Sequence, residues 1–265
     1  MSSSVMPKAS TAECNAAPQT CRIHPGGTWE TVTDERGTYS FCPVCEAEAI
    51  RRQDWQRREE ERKRLLRGIP SRYHTAIVEC LDPEMFMLGE EDANGVTNYA
   101  PGGYPLLEKW LQSPRGFFYL YGDCGVGKTY VACAAMRKFN EEGRPAQITF
   151  AYEAVLALRS SFGKRGQQKS EVEVANRIAP DDGRARIVII DDLGMQKATE
   201  YAADMWTLVI DRLWRNGTPA LITTNLTLDE IRKLFSDRVA SRLASGPVVK
   251  LTGPDRRVKE HWACR

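Results

Sequence analysis

The stretch GFFYLYGDCGVGKTYVACAAM, residues 116–136, constrains the fold of this chain more than any other. An apolar run, Phe117–Tyr121, leads into the pattern Gly-x-x-x-x-Gly-Lys-Thr and then into a helix-forming segment. Strand, glycine-rich loop and helix in this order are typical of a phosphate-binding loop, in which backbone amides and the positive end of the helix face the phosphates. We therefore predict a phosphate site at this loop.

The loop also carries side chains suited to a nucleotide. Lys128 is predicted to neutralise charge on the β- and γ-phosphates, and the Thr129 hydroxyl to ligate Mg²⁺. Cys124 is interpreted as a small, tolerated side chain rather than a catalytic one. The residues predicted to bind the nucleotide are Gly122, Asp123, Cys124, Gly125, Val126, Gly127, Lys128 and Thr129.

Two later strands are expected to end beside this loop. Residues 187–190 form a continuous apolar run, as in a strand buried on both faces, and Asp191 and Asp192 follow it. We predict that Asp191 holds Mg²⁺ through water and that Asp192 orients or deprotonates the attacking water. The strand PALITTN ends in Asn225, which either hydrogen-bonds the γ-phosphate or the attacking water, or is a turn residue before a helix capped by Thr227 and Glu230.

Composition indicates one α/β domain with a smaller appendage. The chain has 265 residues, of which 42% are hydrophobic and 27% charged, as in a globular protein. No apolar run approaches the roughly 18 residues of a membrane span, and the first thirty residues lack the positively charged start and apolar core of a signal peptide, so we expect a cytoplasmic protein without membrane contact. The net charge of +2 does not by itself indicate a nucleic-acid partner.

The chain is predicted to divide into four segments. Residues 1–20 are a disordered lead, 21–48 a zinc-binding module, 49–67 a solvated connector helix with charges on nearly every face, and 68–265 the α/β domain. Within that domain, residues 88–103 are expected to form a loop before a helix over 106–111. Beyond residue 116, short apolar strands alternate with amphipathic helices, which predicts a parallel sheet flanked by helices.

The predicted zinc module is the segment CRIHPGGTWETVTDERGTYSFCPVC, residues 21–45. The pairs Cys21-x₂-His24 and Cys42-x₂-Cys45 have the spacing of structural zinc sites, and the alternating residues between them predict a hairpin that brings the pairs together. Three thiolates and one imidazole would close a tetrahedral site, leaving no position for catalysis. Unmetallated thiols are the alternative.

The segments GDCGVGKT, IVIIDDLG, LITTN and SDRVASRL, in this order, resemble the AAA+ ATPases of the DnaC/DnaI helicase-loader and IstB transposition-helper group. The resemblance implies an AAA+ P-loop fold and ATP hydrolysis. Many AAA+ members have Asp-Glu where this chain has Asp191-Asp192. The shorter acid also occurs in the initiator and loader branch, so it favours that branch.

The same resemblance assigns further residues. Asn225 corresponds to the sensor 1 position that detects the γ-phosphate, and Arg257 to the sensor 2 arginine. Arg238 and Arg242 correspond to the segment that supplies an arginine finger to a neighbouring subunit, and Arg242 matches the finger position better.

The resemblance also indicates a place for single-stranded DNA. Lys164, Arg165 and Lys169 lie in a basic turn after the second strand of the domain, where the group threads DNA. Their side chains could pair with phosphates. A solvated loop between two helices is an equally good interpretation of this turn.

The function implied is that of a replicative helicase loader, of phage or mobile-element origin, which assembles with itself on binding ATP. Its zinc module would hold the helicase, as in loaders of the DnaI type, and its cofactors would be ATP, Mg²⁺ and Zn²⁺. A transposition-helper ATPase and a nucleotide-dependent adaptor with little hydrolysis are the alternatives.

Overall fold

The computed structural model describes residues 23, 30–34, 37–91, 97–159, 171–180, 186–194 and 200–257. The chain divides into two compact units, Met1–Lys63 and Arg64–Arg265. The predicted lead, residues 1–20, and the basic turn with Lys164, Arg165 and Lys169 lie outside the described residues. Across the described ranges, no helix has the length and apolar character needed to cross a membrane.

The first unit contains a hairpin and a helix. β1 (Glu30–Asp34) pairs antiparallel with β2 (Gly37–Phe41), with Glu30 opposite Phe41 and Asp34 opposite Gly37, so the predicted hairpin is confirmed. α1 (Pro43–Leu65) starts earlier than the predicted connector because proline suits the first turn of a helix. None of its residues is buried, as expected for a solvated helix.

The structure describes two cysteines of the predicted zinc site, Cys42 and Cys45, which are three positions apart in sequence. Cys42 is buried directly after β2, and Cys45 is half-buried in the first turn of α1. Cys21 and His24 lie outside the described residues, and within those residues no group of three or more His, Cys, Asp or Glu side chains could hold a metal ion. The zinc site therefore stays a prediction.

The second unit alternates strands and helices. Its short 3₁₀ helices are Ser71–Tyr73, Val78–Cys80 and Pro83–Met85. Its other elements are β3 (Phe86–Glu91), β4 (Thr97–Pro101), α2 (Tyr104–Gln112), β5 (Phe117–Tyr121), α3 (Lys128–Glu141), β6 (Ala146–Phe150), α4 (Ala151–Arg159), α5 (Glu171–Ile178), β7 (Ile187–Leu193), α6 (Glu200–Arg215), β8 (Ala220–Thr224), α7 (Leu228–Leu234), α8 (Asp237–Leu243) and β9 (Val248–Leu251).

Within the described ranges, the main sheet has seven strands in the order β4-β3-β9-β5-β8-β7-β6. The five strands from β9 to β6 are parallel, and β3 and β4 extend the sheet in antiparallel fashion. β5 lies between β8 and β9, and both of these follow it in sequence. α3, which follows β5, packs on one face of the sheet, whereas α7 and α8, which follow the adjacent β8, pack on the other. The loop after β5 therefore opens at a switch point of the sheet, where α/β folds bind ligands.

The hairpin of β3 and β4 corrects one sequence-based expectation. Residues 88–103 were expected to form a loop, and this was wrong, because β3 and β4 pair from Met87 opposite Pro101 to Glu91 opposite Thr97. The sequence pattern gave no sign of β4, since its five residues are all exposed at the sheet edge and lack apolar alternation.

Two apolar cores cover the two faces of the sheet. Tyr119 and Ile190 pack with residues of α4, α5, α6 and α8, whereas Phe118 and Ile189 pack with residues of α2 and α3. Neighbouring residues of one strand thus enter opposite cores, as the two-residue period of a strand requires. The predicted parallel sheet flanked by helices is confirmed, and its central strands end at the phosphate-binding loop.

Candidate active site

The predicted phosphate-binding loop connects β5 to α3, as the sequence indicates. α3 begins at Lys128, and Gly125 and Gly127 have φ values of +80° and +111°, which glycine adopts without strain. The Lys128 ammonium donates hydrogen bonds to the carbonyls of Gly122 and Asp123 at 2.9 and 2.7 Å. The lysine is thereby held against the loop, at the N-terminus of the helix where anions bind.

Burial lowers the pKa of Lys128, and the nearby side chains of Asp192, Cys124 and Asp191 oppose that shift. These acidic neighbours favour the charged ammonium in a site that excludes much of the water. An anion that enters beside Lys128 therefore meets a partly desolvated cation, whose attraction for phosphate is stronger than at an open surface.

The two acids at the end of β7 have different surroundings. Asp191 is buried, and its carboxylate accepts hydrogen bonds from the hydroxyls of Thr129 at 2.9 Å and Thr223 at 2.6 Å. Burial raises the pKa of Asp191, and these two hydrogen bonds oppose the shift. Asp192 is half-buried; burial raises its pKa, while Lys128 and Arg257 lower it.

Most of the predicted side chains line a cleft beside the loop. Lys128, Thr129 and Asp192 line it together with Asn225 from the end of β8 and Arg257 from the segment after β9. Asn225 donates a hydrogen bond from Nδ2 to the Cys124 sulfur at 3.1 Å. The predicted capping box of Thr227 and Glu230 at the start of α7 is also present.

Four residues of the cleft were missed by sequence reasoning. Arg72 and Tyr73 belong to a short 3₁₀ helix that precedes β3, Tyr130 lies in the first turn of α3, and Arg256 precedes Arg257. The pair Arg256-Arg257 was a visible signal for the last of them. Arg72 and Tyr73 occur in no recognisable motif and come to the cleft only through the tertiary fold.

The family model described as "IstB-like ATP binding protein" matches residues 113–245, half of the chain. This chain belongs to the IstB-like ATP-binding protein family. The predicted resemblance to the AAA+ group that contains IstB and DnaC is thus confirmed.

Curated relatives of this IstB-like chain include two bacterial proteins. The replicative helicase loader DnaC of Escherichia coli K12 is 26% identical over 129 residues, which are 49% of this chain and 50% of DnaC. The replicative helicase loader DnaI of Bacillus subtilis is 25% identical over 132 residues, 49% of this chain and 40% of DnaI. The chain spans about half or less of the length of the curated relatives it matches.

A crystal structure of DnaI shows the same fold. It superposes with a TM-score of 0.51 at 19% identity, covering 71% of this chain and 94% of the other. At this identity the likeness establishes the fold alone, a mostly parallel sheet flanked by helices, which agrees with the predicted AAA+ P-loop architecture.

The residues of this IstB-like site fit a magnesium ion. Mg²⁺ prefers oxygen ligands and binds through one or two carboxylates together with substrate phosphates. The Thr129 hydroxyl and the Asp191 carboxylate, predicted ligands from different elements, are in direct contact at 2.9 Å, next to the cleft. Oxygen donors of this kind suit a Mg²⁺ ion that is also bound by nucleotide phosphates.

The segment after β9 passes over the phosphate-binding loop. The Arg256 amide donates to the Gly125 carbonyl at 3.0 Å, and its guanidinium contacts the sulfur of Met85. The Arg257 amide donates to the Asp255 carboxylate at 2.9 Å. This segment delivers Arg257 to the cleft, where its charge lies near Asp192 and Lys128.

The predicted finger arginines, Arg238 and Arg242, are not among the residues that line the cleft of their own chain. Both lie on α8 and form ion pairs with Asp211 of α6, Arg238 at 2.6 Å. The Arg242 guanidinium also stacks over the ring of Trp214, 4.9 Å from its centroid. The Arg238 side chain is 65% exposed and that of Arg242 is 14% exposed, so Arg238 is the more accessible to another molecule.

Proposed function

We propose that this chain binds and hydrolyses ATP. The observation that carries the proposal is the meeting of Lys128, Asp192 and Asn225 in one cleft beside the contact between Thr129 and Asp191. Lys128 and the loop amides would hold the phosphates, Asn225 would contact the γ-phosphate or the attacking water, and Asp192 would orient that water. Mg²⁺, held by Thr129 and by Asp191 through water, would offset charge on the phosphates. Arg257, which lines the same cleft, would contact the same phosphates.

Asp192→Asn tests hydrolysis separately from binding. Asp192 has a φ of +62°, which asparagine tolerates better than most residues do, so this variant should keep the backbone conformation at position 192. We expect ATP binding close to wild type and turnover lower by roughly 10²- to 10⁴-fold, the usual contribution of a general base. The measurement is phosphate release together with equilibrium binding of ATP.

The control is Asp204→Asn, an exposed carboxylate on α6 outside the cleft, which should keep full turnover. Unchanged phosphate release by Asp192→Asn would remove Asp192 from the reaction.

We further propose that the ATPase loads a replicative DNA helicase, since DnaC and DnaI are both described as replicative helicase loaders. The predicted zinc module would hold the helicase, and Lys164, Arg165 and Lys169 would contact single-stranded DNA. A transposition helper is the second candidate, because the matching family model is named after IstB. Co-purification of the full chain with a hexameric helicase supports the loader, and co-purification with a transposase supports the helper.

The nucleotide-dependent adaptor with little hydrolysis is tested by the same turnover measurement. Phosphate release that stays at the uncatalysed level even with helicase and single-stranded DNA present, while ATP still binds, would favour the adaptor.

The zinc module yields its own prediction. Purified full-length protein should contain about one zinc ion per chain, and Cys42→Ser should lose it, because a structural site needs all four ligands. Elemental analysis by mass spectrometry measures the metal, and Cys124→Ser, which changes a cysteine of the phosphate-binding loop, should retain it. A Cys42→Ser protein with its full zinc content would show that Cys42 is not a ligand.

A further inference from the structure

The end of β7 is irregular where it carries the two acids. Its register with β8 runs regularly to Ile190 opposite Ile222 and resumes at Leu193 opposite Thr224. Two residues of β7, Asp191 and Asp192, therefore oppose a single residue of β8, Thr223, which is the definition of a β-bulge. In a regular strand, consecutive side chains point to opposite faces, so two adjacent acids would diverge. The bulge allows both acids to serve one site.

The Thr223 hydroxyl contacts both acids. Thr223 is fully buried, its Oγ1 donates a hydrogen bond to Oδ1 of Asp191 at 2.6 Å, and the same oxygen accepts one from the backbone amide of Asp192 at 3.1 Å. A hydroxyl has one donor and can accept as well, so a single side chain fixes the carboxylate of the first acid and the backbone of the second.

The backbone at Asp192 needs this support. Among the described residues, Asp192 is the one non-glycine residue with a positive φ, +62°. Such a conformation is unfavourable for a residue with a Cβ and persists where the surroundings hold it in place. The hydrogen bond from its amide to Thr223 is such a restraint, and it comes from a neighbouring strand.

We propose that Thr223 is a positioning residue of the ATPase site: its hydroxyl turns the Asp191 carboxylate towards Thr129 and fixes the bulge that presents Asp192 to the cleft. Thr223 is not among the residues that line the cleft, so it acts through the two acids. The inference rests on the proposed function for the roles of those acids. Thr223 belongs neither to the phosphate-binding loop nor to the pair of acids after the apolar run of β7.

Thr223→Val and Thr223→Ser in the full-length protein test the proposal. Valine keeps the shape and removes the hydroxyl, whereas serine keeps the hydroxyl. Binding of a fluorescent ATP analogue is measured with and without Mg²⁺, beside turnover and thermal unfolding. Loss of a hydrogen-bond partner behind a metal ligand costs roughly 10- to 100-fold in metal affinity or activity. We expect Thr223→Val to lose affinity by that factor only when Mg²⁺ is present, and Thr223→Ser to resemble wild type.

Thr224 provides a matched control. It is equally buried on β8, and its hydroxyl donates to the Leu193 carbonyl at 2.6 Å and accepts from the Leu226 amide at 3.0 Å, without contact to either carboxylate. Thr224→Val should therefore lower thermal stability as Thr223→Val does, yet keep the wild-type gain in nucleotide affinity on adding Mg²⁺. If Thr223→Val does not fold, Thr223→Ala, whose smaller side chain cannot clash, gives the same comparison.

The outcomes separate this inference from the proposed function. If the wild-type protein binds nucleotide more tightly with Mg²⁺ but releases no phosphate, the proposed hydrolysis is refuted. The role of Thr223 is then still decided by the Mg²⁺ dependence of nucleotide binding in its variants. Three results would each overturn the proposal for Thr223. They are a Thr223→Val protein whose nucleotide affinity still rises fully on adding Mg²⁺, a Thr223→Ser protein as defective as Thr223→Val, and a wild-type protein whose nucleotide affinity does not rise on adding Mg²⁺.

Discussion

Lys128→Ala should weaken ATP binding by roughly 10- to 100-fold, because a hydrogen bond to a charged group contributes about 1.5–3 kcal/mol. The Lys128 ammonium is already held at the carbonyls of Gly122 and Asp123, within the loop that would receive the phosphates. Alanine leaves the glycine turn intact but removes the cation. Turnover at saturating ATP should also fall, since the lysine would stabilise charge that develops during transfer. Equilibrium binding and phosphate release measure the two effects.

Lys138→Ala is the matched control. Lys138 lies on the same helix but pairs with Glu142 at the surface at 3.0 Å, and exposed ion pairs contribute little. Both binding and turnover should stay at wild-type levels in this variant. ATP affinity in Lys128→Ala equal to that in wild type would exclude the proposed role of the loop in phosphate binding.

The family resemblance predicts that Arg242 is the arginine finger, so Arg242→Lys should lower ATP turnover by roughly 10³-fold with little change in ATP affinity, since such a finger contributes that much or more. Lysine keeps the charge that pairs with Asp211 but lacks the planar fork of donors that bridges phosphate oxygens. Thermal unfolding should therefore change little. This substitution suits the site better than alanine, because Arg242 is largely buried between Asp211 and Trp214 and alanine would also remove packing.

Arg238→Lys is the comparison for this experiment. Its side chain is the more exposed of the two, so a large loss of turnover in this variant together with normal turnover in Arg242→Lys would identify Arg238 as the finger.

A finger that acts on a neighbouring subunit has a further consequence. Specific activity should rise with protein concentration, and a mixture of Arg242→Lys with Lys128→Ala should recover part of the activity, because one chain supplies an intact nucleotide site and the other an intact arginine. A mixture that stays inactive although mixed oligomers form would exclude action between subunits.

The parts of the site that could be predicted from the sequence are those coded by short, contiguous motifs. The strand, loop and helix around Lys128 follow from local chemistry, and the apolar run before Asp191 identifies a strand with both faces buried. The position of Asn225 beside the loop could also be predicted, because Asn225 directly follows β8 and parallel strands of one sheet carry their ligand-binding residues at one edge.

The parts that could not be predicted depend on contacts between distant segments. Arg72 and Tyr73 reach the cleft from before the first strand of the domain, and Thr223 gains its role only because β7 bulges against β8. The ion pair of Arg242 with Asp211 likewise joins two helices with no shared motif. The hairpin of β3 and β4 could not be predicted because an exposed edge strand does not need apolar alternation.

The position of β9 bears on how this protein should be produced. β9 comes last of the strands in sequence, yet it lies between β3 and β5 and hydrogen-bonds to both. A recombinant fragment trimmed to the family match, residues 113–245, would end before β9 and begin after β3. Its β5 would then be a bare apolar edge, prone to aggregate. It would also lack Arg72, Tyr73 and Arg257. Expression boundaries for this domain should extend from Arg64 to beyond Arg257.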